Sequence, residues 1–415
     1  MRKKALQERI FFGSLVVLAF SLPIMPRFSG VVMAFMMLHW LLQFDYMQRL
    51  KMFFKNKVAS AMVAFYFLFL IGMAWTENIE EGKQQLVLLT SIWMLPLIFS
   101  SSNLFPKSKE KILQAFIAGC FGSAIICLGY ASFIFITQHK NIFFYSGLTD
   151  VLHLHPSYAG VYVLFACMLL MRKWIKKKMM PLEKNGTIAL LLFFFVYLIL
   201  LSARAQLIIF ILMVPALLYF KNKTSAQTKP SNTIKIFLTS GLLIALFISA
   251  VFIFPGTRTR VVSMVTDWNS AYSETDPKSI PERKVIWECA TEIIGNNPVF
   301  GVGTGDVQQS LQQTFLQHNW KLLASRNFNS HNQFLQLGIM LGVPAVLLFV
   351  WLLWFLWNEG KKRKQILLQG FIFIFVISML TEAMLESEAG VVFFSFIIGL
   401  LACKNISNEN DFTAV

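Results

Sequence analysis

The fold of this chain is decided by the stretch SHNQFLQLGIMLGVPAVLLFVWLLWFLW, residues 330–357, in which four polar residues pass directly into a long apolar run. The run is long enough to cross about 30 Å of hydrocarbon as an α-helix. A polar segment, residues 255–332, precedes it within an otherwise apolar sequence. His331 and Asn332 are therefore predicted at the surface of a membrane, where a polar segment meets a span.

The composition of the chain predicts many such spans. Of 415 residues, 56% are hydrophobic and only 14% are charged, and the mean hydropathy is +0.61. Only helices and closed barrels satisfy the backbone in lipid, and the period-two alternation of a barrel is absent. We expect an all-α integral membrane protein with about twelve transmembrane helices and one large external loop containing short amphipathic helices. The predicted spans are 10–26, 30–46, 58–75, 84–101, 112–137, 156–171, 187–203, 205–220, 234–254, 333–357, 366–382 and 389–403.

The distribution of the net charge of +16 predicts the topology. Most basic residues fall in clusters between alternate spans, and the positive-inside rule assigns such clusters to the cytoplasm. A nucleic-acid-binding surface is therefore not indicated. Residues 1–254 form about nine spans, 255–332 the external loop, and 333–415 about three spans with a short tail, both termini being cytoplasmic. The clusters are Arg2 to Arg9, Arg49 to Lys57, Lys107 to Lys111, Arg172 to Lys184, Lys221 to Lys235, Lys361 to Lys364, and Lys404.

The external loop has the balanced charge of a folded subdomain. Ser279-Ile-Pro-Glu282 reads as a capping box, and apolar residues at helical spacing follow it. Arg283 then lies in the first turn of a helix that ends at Asn296-Asn297-Pro298. We expect this helix to lie against the membrane domain.

A glycine-rich turn follows that helix at Gly301-Val-Gly-Thr-Gly305. It lacks the Lys-Ser/Thr pair and the preceding strand of a nucleotide-binding loop, so phosphate cradling is not favoured. Asp306 is predicted to cap a second helix, which runs to about Ala324.

His331 is the candidate catalytic residue. A neutral imidazole accepts a proton near pH 7, and this one faces the large loop. The alternative is a capping or packing role. Asn332 is placed to orient the imidazole or to bind a sugar hydroxyl.

Arg204 interrupts an apolar stretch, Thr187 to Phe220, that is long enough for two spans. It is therefore predicted at their external turn, where an arginine is costly unless it is paired or functional. A guanidinium matches the oxygens of a diphosphate and stays charged at any working pH. The alternative is an arginine that snorkels to the interface.

Two further external turns carry polar residues. His153-Leu-His155-Pro-Ser-Tyr158 opens a span, but a third metal ligand is not evident nearby, so a structural or substrate-lining role is favoured over metal binding. Glu382, Glu386 and Glu388 lie between the last two spans. They form either a solvated hairpin or a set in which one carboxylate pairs with an arginine or binds a sugar.

Taken in order, these segments resemble the O-antigen ligase and polymerase family of bacterial envelope glycosyltransferases. The resemblance covers most of the chain and is sharpest at residues 296–306 and 330–342. Supporting pieces are residues 201–206, 155–158 and 386–394, the last leaning towards the ligase branch.

The resemblance implies transfer of a glycan from an undecaprenyl diphosphate carrier to an acceptor on the periplasmic side of the bacterial inner membrane. It implies no cofactor and no metal, and an inversion of the anomeric carbon. His331 would be the base, and Arg204 and Arg283 would bind the diphosphate. The remaining substrate-binding candidates are Asn332, Glu386, His155 and Tyr158.

Several functions remain open at this point. The working hypothesis is transfer to a lipid A-core acceptor, with a polymerase and a protein O-oligosaccharyltransferase as alternatives within the family. A transporter or lipid flippase is the alternative from another class. Transporters usually carry internal repeats or paired broken helices near the membrane middle, whereas here the polar residues collect on the external side.

Overall fold

The structure is a computed structural model that describes residues 2–102, 106–176, 180–203, 205–213 and 282–403, with residues 215, 241 and 249 standing alone between them. Within these ranges the regular structure is helical and no strand is present, which confirms the predicted all-α class. Part of the predicted loop, residues 255–281, lies outside the described residues, as does Arg204.

The helices are numbered in chain order. The first seven are α1 (Arg2–Ser21), α2 (Ser29–Leu41), α3 (Tyr46–Lys55), α4 (Lys57–Gly72), α5 (Ile79–Leu88), α6 (Ser91–Ser100) and α7 (Pro106–Gln138). Next come α8 (Ser146–Thr149), α9 (Pro156–Lys176) and α10 (Pro181–Leu200), followed by a helical stretch at 205–213. The last six are α11 (Glu282–Asn296), α12 (Val307–Gln317), α13 (Lys321–Ala324), α14 (Gln333–Lys362), α15 (Ile366–Met379) and α16 (Glu388–Ala402).

Five helical segments among the described residues are long and apolar enough to cross a membrane, and two bent pairs raise this number to seven. The pairs bend by 117° between α2 and α3 and by 84° before α9. Helices α15 and α16 are apolar but shorter than a full span. The protein is thus a multi-pass membrane protein, but the predicted twelve spans are not confirmed. Of the predicted spans, 234–254 lies largely outside the described residues, and 205–220 is described at residues 205–213 and 215.

The described residues form two compact units, residues 1–115 with 270–415 and residues 116–269. In the first unit α16 packs on α6, α6 on α4, and α4 on α14. Every residue of α16 after Glu388 is buried. Its Gly399 lies against the ring of Phe99, at a point where a Cβ atom would overlap that ring. In the second unit α9 packs on α10.

Helix α14 contains a break that its sequence explains. Gly342 has φ +78° and ψ +177°, which is not helical, and Pro344 follows it. Proline has no N–H and cannot bond the carbonyl of Met340 four residues back. The N–H of Val343 also leaves the helix and donates to Pro298 O at 2.8 Å. Two carbonyls of α14, Ile339 and Met340, are therefore left for partners outside the helix.

The glycine-rich turn supplies those partners. The N–H groups of Val302 and Gly303 donate to Ile339 O at 2.8 Å and to Met340 O at 3.0 Å. Gly301, with φ +66°, lies so close to this backbone that a Cβ atom would stand 2.5 Å from Ile339 O. Because these N–H groups are already bonded, the turn docks the polar segment at residues 282–332 onto α14 and is not arranged to cradle a phosphate.

The residues after the turn attach the same segment to α4 and α5. Thr304 Oγ1 donates to Phe69 O at 2.8 Å, and the Asp306 carboxylate accepts the N–H groups of Glu77 at 3.0 Å and Asn78 at 2.7 Å. Asp306 does stand at the N-cap position of α12, but its side chain makes no cap hydrogen bond there. The predicted capping role is therefore wrong, since the carboxylate is committed to the loop before α5.

The helices of the polar segment at residues 282–332 differ from prediction in one respect. The first, α11, is confirmed and ends at Asn296 as expected, although residues 279–281 of the proposed capping box lie outside the described residues. The second helix does not run to Ala324. It ends at Gln317, and Asn319, with φ +63°, separates it from the short α13. A left-handed residue interrupts the helical backbone, and the spacing of apolar residues did not reveal it.

Candidate active site

His331 is held in a strained backbone conformation immediately before α14. Its φ is +47°, in the left-handed region that costs a non-glycine residue about 1–2 kcal/mol. Two contacts fix the segment: the His331 N–H donates to Asn329 Oδ1 at 2.9 Å, and Trp287 Nε1 of α11 donates to Ser330 O at 3.0 Å. The ring of Phe328 lies 5.7 Å from the imidazole. Strain of this kind collects at functional sites, where the surrounding structure maintains it.

The imidazole of His331 is paired with a carboxylate. Its Nδ1 lies 3.1 Å from Glu382 Oε1, and the side chains are 23% and 6% exposed respectively. An ionised carboxylate only accepts hydrogen bonds, so Nδ1 carries the proton and Nε2 presents its lone pair. Nε2 makes no hydrogen bond to the described residues. The pair is therefore suited to remove a proton from a substrate hydroxyl.

Asn332 has a different role from the predicted one of orienting the imidazole. Its Oδ1 caps α14 by accepting the N–H groups of Phe334 at 2.9 Å and Leu335 at 3.2 Å. Its Nδ2 donates to Leu380 O at 3.2 Å. The partner of the imidazole is Glu382, whose carboxylate accepts a hydrogen bond from the ring N–H. Asn332 stabilises the start of α14, directly after His331.

The turn between α15 and α16 is not a solvated hairpin. Leu385 N–H donates to Gln333 Oε1 at 2.6 Å, which ties the turn to α14. Its three carboxylates each contact another part of the first unit, and within the described residues none pairs with an arginine. Glu382 bonds His331, Glu386 accepts from Gln85 Nε2 at 2.9 Å, and Glu388 accepts from Ser29 Oγ at 2.9 Å.

Glu386 lines a polar cavity of about 410 Å³, which we name the amide cavity. Helices α5, α12 and α14 contribute to its wall, as do residues 304–305, 327 and 329. Two carboxylates, Glu81 and Glu386, line it, together with six side-chain amides: Gln84, Gln85, Gln308, Asn327, Asn329 and Gln336. The cavity adjoins the His331 segment, since Asn329 bonds the His331 N–H and Gln336 Oε1 accepts Ser330 N–H at 3.0 Å.

Burial raises the pKa of Glu386 to about 7, with the nearby Glu81 acting in the same direction. Hydrogen bonds from Gln85 and Gln336 act against this shift. Desolvation disfavours the charged carboxylate, so Glu386 changes its charge near neutral pH.

We expect this ionisation to affect thermal stability. The pKa of Glu386 is higher in the folded protein than in the unfolded chain, so folding is most favoured below the unfolded pKa, about 4.5. Between that pH and about 7, Glu386 is ionised in the unfolded chain but still largely protonated in the folded protein. The contribution of protonated Glu386 to the free energy of unfolding is therefore lost as the pH rises through this range. Glu386→Gln should remove this pH dependence of stability. Thermal unfolding of the purified protein between pH 4.5 and 7 should show a smaller fall in Tm for the variant than for wild type. Equal falls would contradict the assignment.

Arg283 lies in the first turn of α11 as predicted, is exposed, and makes no ion pair with the described residues. It stands one turn before Trp287, so the two share a helix face, and Trp287 bonds the residue before His331. Arg326, by contrast, pairs with Glu282 at 2.7 Å. The structure thus places Arg283 on the face of α11 that contacts the His331 segment.

The other candidates lie in the second unit. His155 is exposed, with Nε2 at 3.3 Å from Tyr145 Oη, and Tyr158 is buried in the first turn of α9. Gln206 Nε2 donates to Ser157 O at 3.3 Å, so the segment that begins at residue 205 packs on the start of α9. The predicted turn before Arg204 is present at residues 201–203. Arg204 itself lies outside the described residues, and its role stays a prediction.

Sequence reasoning missed two features of this site. It did not connect Glu382 with His331, because the two are 51 positions apart and only the tertiary fold joins them. The span predicted at 84–101 does fall within an apolar segment, Ile79–Ser100, that is long enough to cross a membrane, but sequence reasoning did not place the side chains of α5 at the cavity. The polar run Glu80-Glu-Gly-Lys-Gln-Gln85 was the available signal that the start of α5 lines a polar cavity.

The described residues contain no group of three or more His, Cys, Asp or Glu side chains that could hold a metal ion.

The fold and the site define a multi-pass, all-helical membrane protein with a histidine–carboxylate pair beside a polar cavity. Residues 187–350 match the family model described as O-antigen ligase (Wzy_C). This match supports the predicted family over the matched segment. The matched segment includes Arg204, Arg283 and His331. A search of curated proteins gave no match to the chain.

Proposed function

We propose that this protein is an O-antigen ligase that transfers a glycan from undecaprenyl diphosphate to a lipid A-core acceptor at the periplasmic face of the inner membrane. The family match supports a ligase- or polymerase-type glycosyltransferase. The observation that carries the proposal further is the His331–Glu382 pair, a base with a fixed tautomer and an unoccupied Nε2 beside a polar cavity.

In the proposed reaction His331 Nε2 takes the proton of an acceptor hydroxyl. The hydroxyl oxygen attacks the anomeric carbon of the donor glycan and forms the new glycosidic bond. The bond between that carbon and the diphosphate breaks, and undecaprenyl diphosphate leaves with its electron pair. A single displacement of this kind inverts the anomeric configuration.

Two arginines are proposed to bind the departing diphosphate. Guanidinium groups form paired hydrogen bonds to phosphate oxygens, and fixed cations stabilise charge that develops in the transition state. Arg283 supports this role because it is exposed and has no acidic partner among the described residues. For Arg204 the support is its sequence position in the matched segment. We assign no metal to the reaction, as the resemblance implied.

Deletion of the gene tests the function, with envelope polysaccharide examined on a gel. Loss of a ligase should leave bare lipid A-core while polymer accumulates on the carrier. Loss of a polymerase would leave core with a single repeat unit, and unchanged polysaccharide with an unglycosylated protein would indicate protein glycosylation. Unchanged polysaccharide and protein glycosylation would contradict the proposal.

Complementation of the deletion extends this test to the arginines. Genes encoding Arg204→Ala or Arg283→Ala should fail to restore lipid A-core that carries the glycan, because each substitution removes a proposed diphosphate contact. Arg326→Ala is the matched control, since Arg326 is committed to Glu282. Restoration by Arg204→Lys would indicate a simple charge requirement over a paired guanidinium contact.

A further inference from the structure

The amide cavity has the lining expected for a hydroxyl-rich ligand. A primary amide both donates and accepts hydrogen bonds, as a sugar hydroxyl does. Most small-molecule pockets, of about 300–1,000 Å³, are lined mainly by apolar side chains. In the amide cavity only Leu88, Val307 and Met340 are large apolar residues. The wall is therefore unsuited to a lipid tail and suited to a carbohydrate.

The charge of the wall narrows the choice of carbohydrate. Its ionisable side chains are the two carboxylates Glu81 and Glu386, and none of the described lining residues is lysine or arginine. Like charges at short range repel, so a diphosphate, a phosphorylated sugar or a uronate would be disfavoured. An uncharged sugar carries no such penalty.

Two of the amides are available for a ligand. Gln308 Nε2 is buried and has no hydrogen-bond partner among the described residues. Buried polar groups are hydrogen-bonded in roughly 90% or more of cases. An unpaired amide N–H in the wall of a cavity is therefore available to donate to a bound ligand. Gln84, on α5, is exposed, and its side chain bonds none of the described residues. The two side chains approach the cavity from different helices, α12 and α5.

We propose that the amide cavity is the binding subsite for an uncharged sugar ring of the acceptor, whose hydroxyls are held by Gln84 and Gln308. The assignment of this sugar to the acceptor rests on the proposed function. The donor's first sugar is joined to a diphosphate, which an acidic wall disfavours. The acceptor must present a hydroxyl to His331, and Asn329 connects the two places because it lines the cavity and bonds the His331 N–H.

Direct binding tests the subsite without relying on transfer. The full chain is held in lipid nanodiscs, because maltoside detergents are themselves glycosides, and saturation-transfer NMR measures binding. The neutral probes are the methyl glycosides of glucose, galactose, rhamnose and N-acetylglucosamine; glucuronate and pyrophosphate are the anionic probes. At least one neutral glycoside should bind, and the anionic probes should not compete with it.

The double variant Gln84→Ala/Gln308→Ala should weaken this binding by about tenfold or more, since two ligand hydrogen bonds are lost. Gln309→Ala is the matched control: Gln309 is exposed on α12 and does not line the cavity. If the double variant does not accumulate, Gln84→Ala alone is measured, because an exposed side chain is safely removed. Wild-type binding in these variants, or no binding of any neutral glycoside to wild type, would overturn the subsite.

Kinetics separate failure of the subsite from failure of the proposed function. In the transfer assay the double variant should raise the acceptor KM about tenfold, with the donor KM and kcat within about twofold of wild type. An unchanged acceptor KM would refute the subsite while leaving the ligase intact. Glycoside binding that depends on Gln84 and Gln308, in a protein that transfers nothing, would refute the ligase while supporting the subsite.

Discussion

His331→Ala should lower the rate of glycan transfer by about 10²–10⁴-fold, the usual contribution of a general base. The imidazole is 23% exposed, and Glu382 holds its Nδ1 at 3.1 Å. The alanine variant loses the group that we propose takes the hydroxyl proton. The measurement is kcat for transfer by purified protein, with the amount of protein in the membrane determined in parallel. A fall in kcat with normal accumulation is the expected result.

The chain offers a matched control for this substitution. His318 and Glu292 also form a histidine–carboxylate pair, at 2.7 Å, but both side chains are nearly half exposed on the surface of α11 and its neighbour. His318→Ala should therefore keep kcat within about twofold of wild type, as surface substitutions usually do. Full activity in His331→Ala would remove the proposed base.

We propose Glu382 as a positioning residue, because its carboxylate contacts the imidazole of His331. Glu382→Gln keeps the size of the side chain but removes its charge. It should lower kcat while leaving the KM values for donor and acceptor unchanged. A merely structural role would instead lower the amount of folded protein, and that result would separate Glu382 from the chemistry.

Gly342→Ala should have the second large effect, on folding. With φ +78° and ψ +177°, Gly342 occupies a region essentially restricted to glycine, where another residue costs about 1–3 kcal/mol. An added Cβ would also overlap the carbonyl of Val299. The variant should lose the docking of the glycine-rich turn on α14. We expect a lower Tm of the purified protein and a lower amount in the membrane.

Gly129→Ala is the control for the loss of a glycine as such. Gly129 lies inside α7, and a Cβ atom there would meet no atom within 4 Å. Alanine is favoured over glycine in a helix by about 1 kcal/mol, so this variant should match or exceed wild-type stability. If Gly342→Ala unfolded at the same temperature as Gly129→Ala, the break in α14 would not be needed for folding.

The sequence was most informative where the physical signal is local. Apolar runs predicted an all-helical membrane protein, and helical spacing located α11 with Arg283 in its first turn. The predicted count of twelve spans is not confirmed, because α15 and α16 are shorter than a full span and most of residues 214–281 lie outside the described part of the chain. The end of α12 was also missed, since a single left-handed residue, Asn319, decides it.

The site was predictable only in part, because its partners are distant in sequence. The sequence predicts His331 as a site residue from its place at the start of a span. It could not identify Glu382 as its partner, or show that Asp306 bonds the loop before α5, because each contact exists only in the folded chain. From sequence alone, the glycine-rich turn could be read as a flexible turn or as a phosphate-binding loop. In the folded chain its N–H groups bond two carbonyls that have no partner within α14, because Gly342 and Pro344 break that helix.

Reconstitution of the purified protein with an undecaprenyl diphosphate-linked glycan and lipid A-core tests the proposed transfer most directly. Mass spectrometry of the products should show glycan joined to the core with inverted anomeric configuration, and an equal amount of released undecaprenyl diphosphate. The His331→Ala protein should yield neither product. Wild-type protein that leaves the core unmodified, or that only lengthens the glycan on its carrier, would contradict the proposed ligase function.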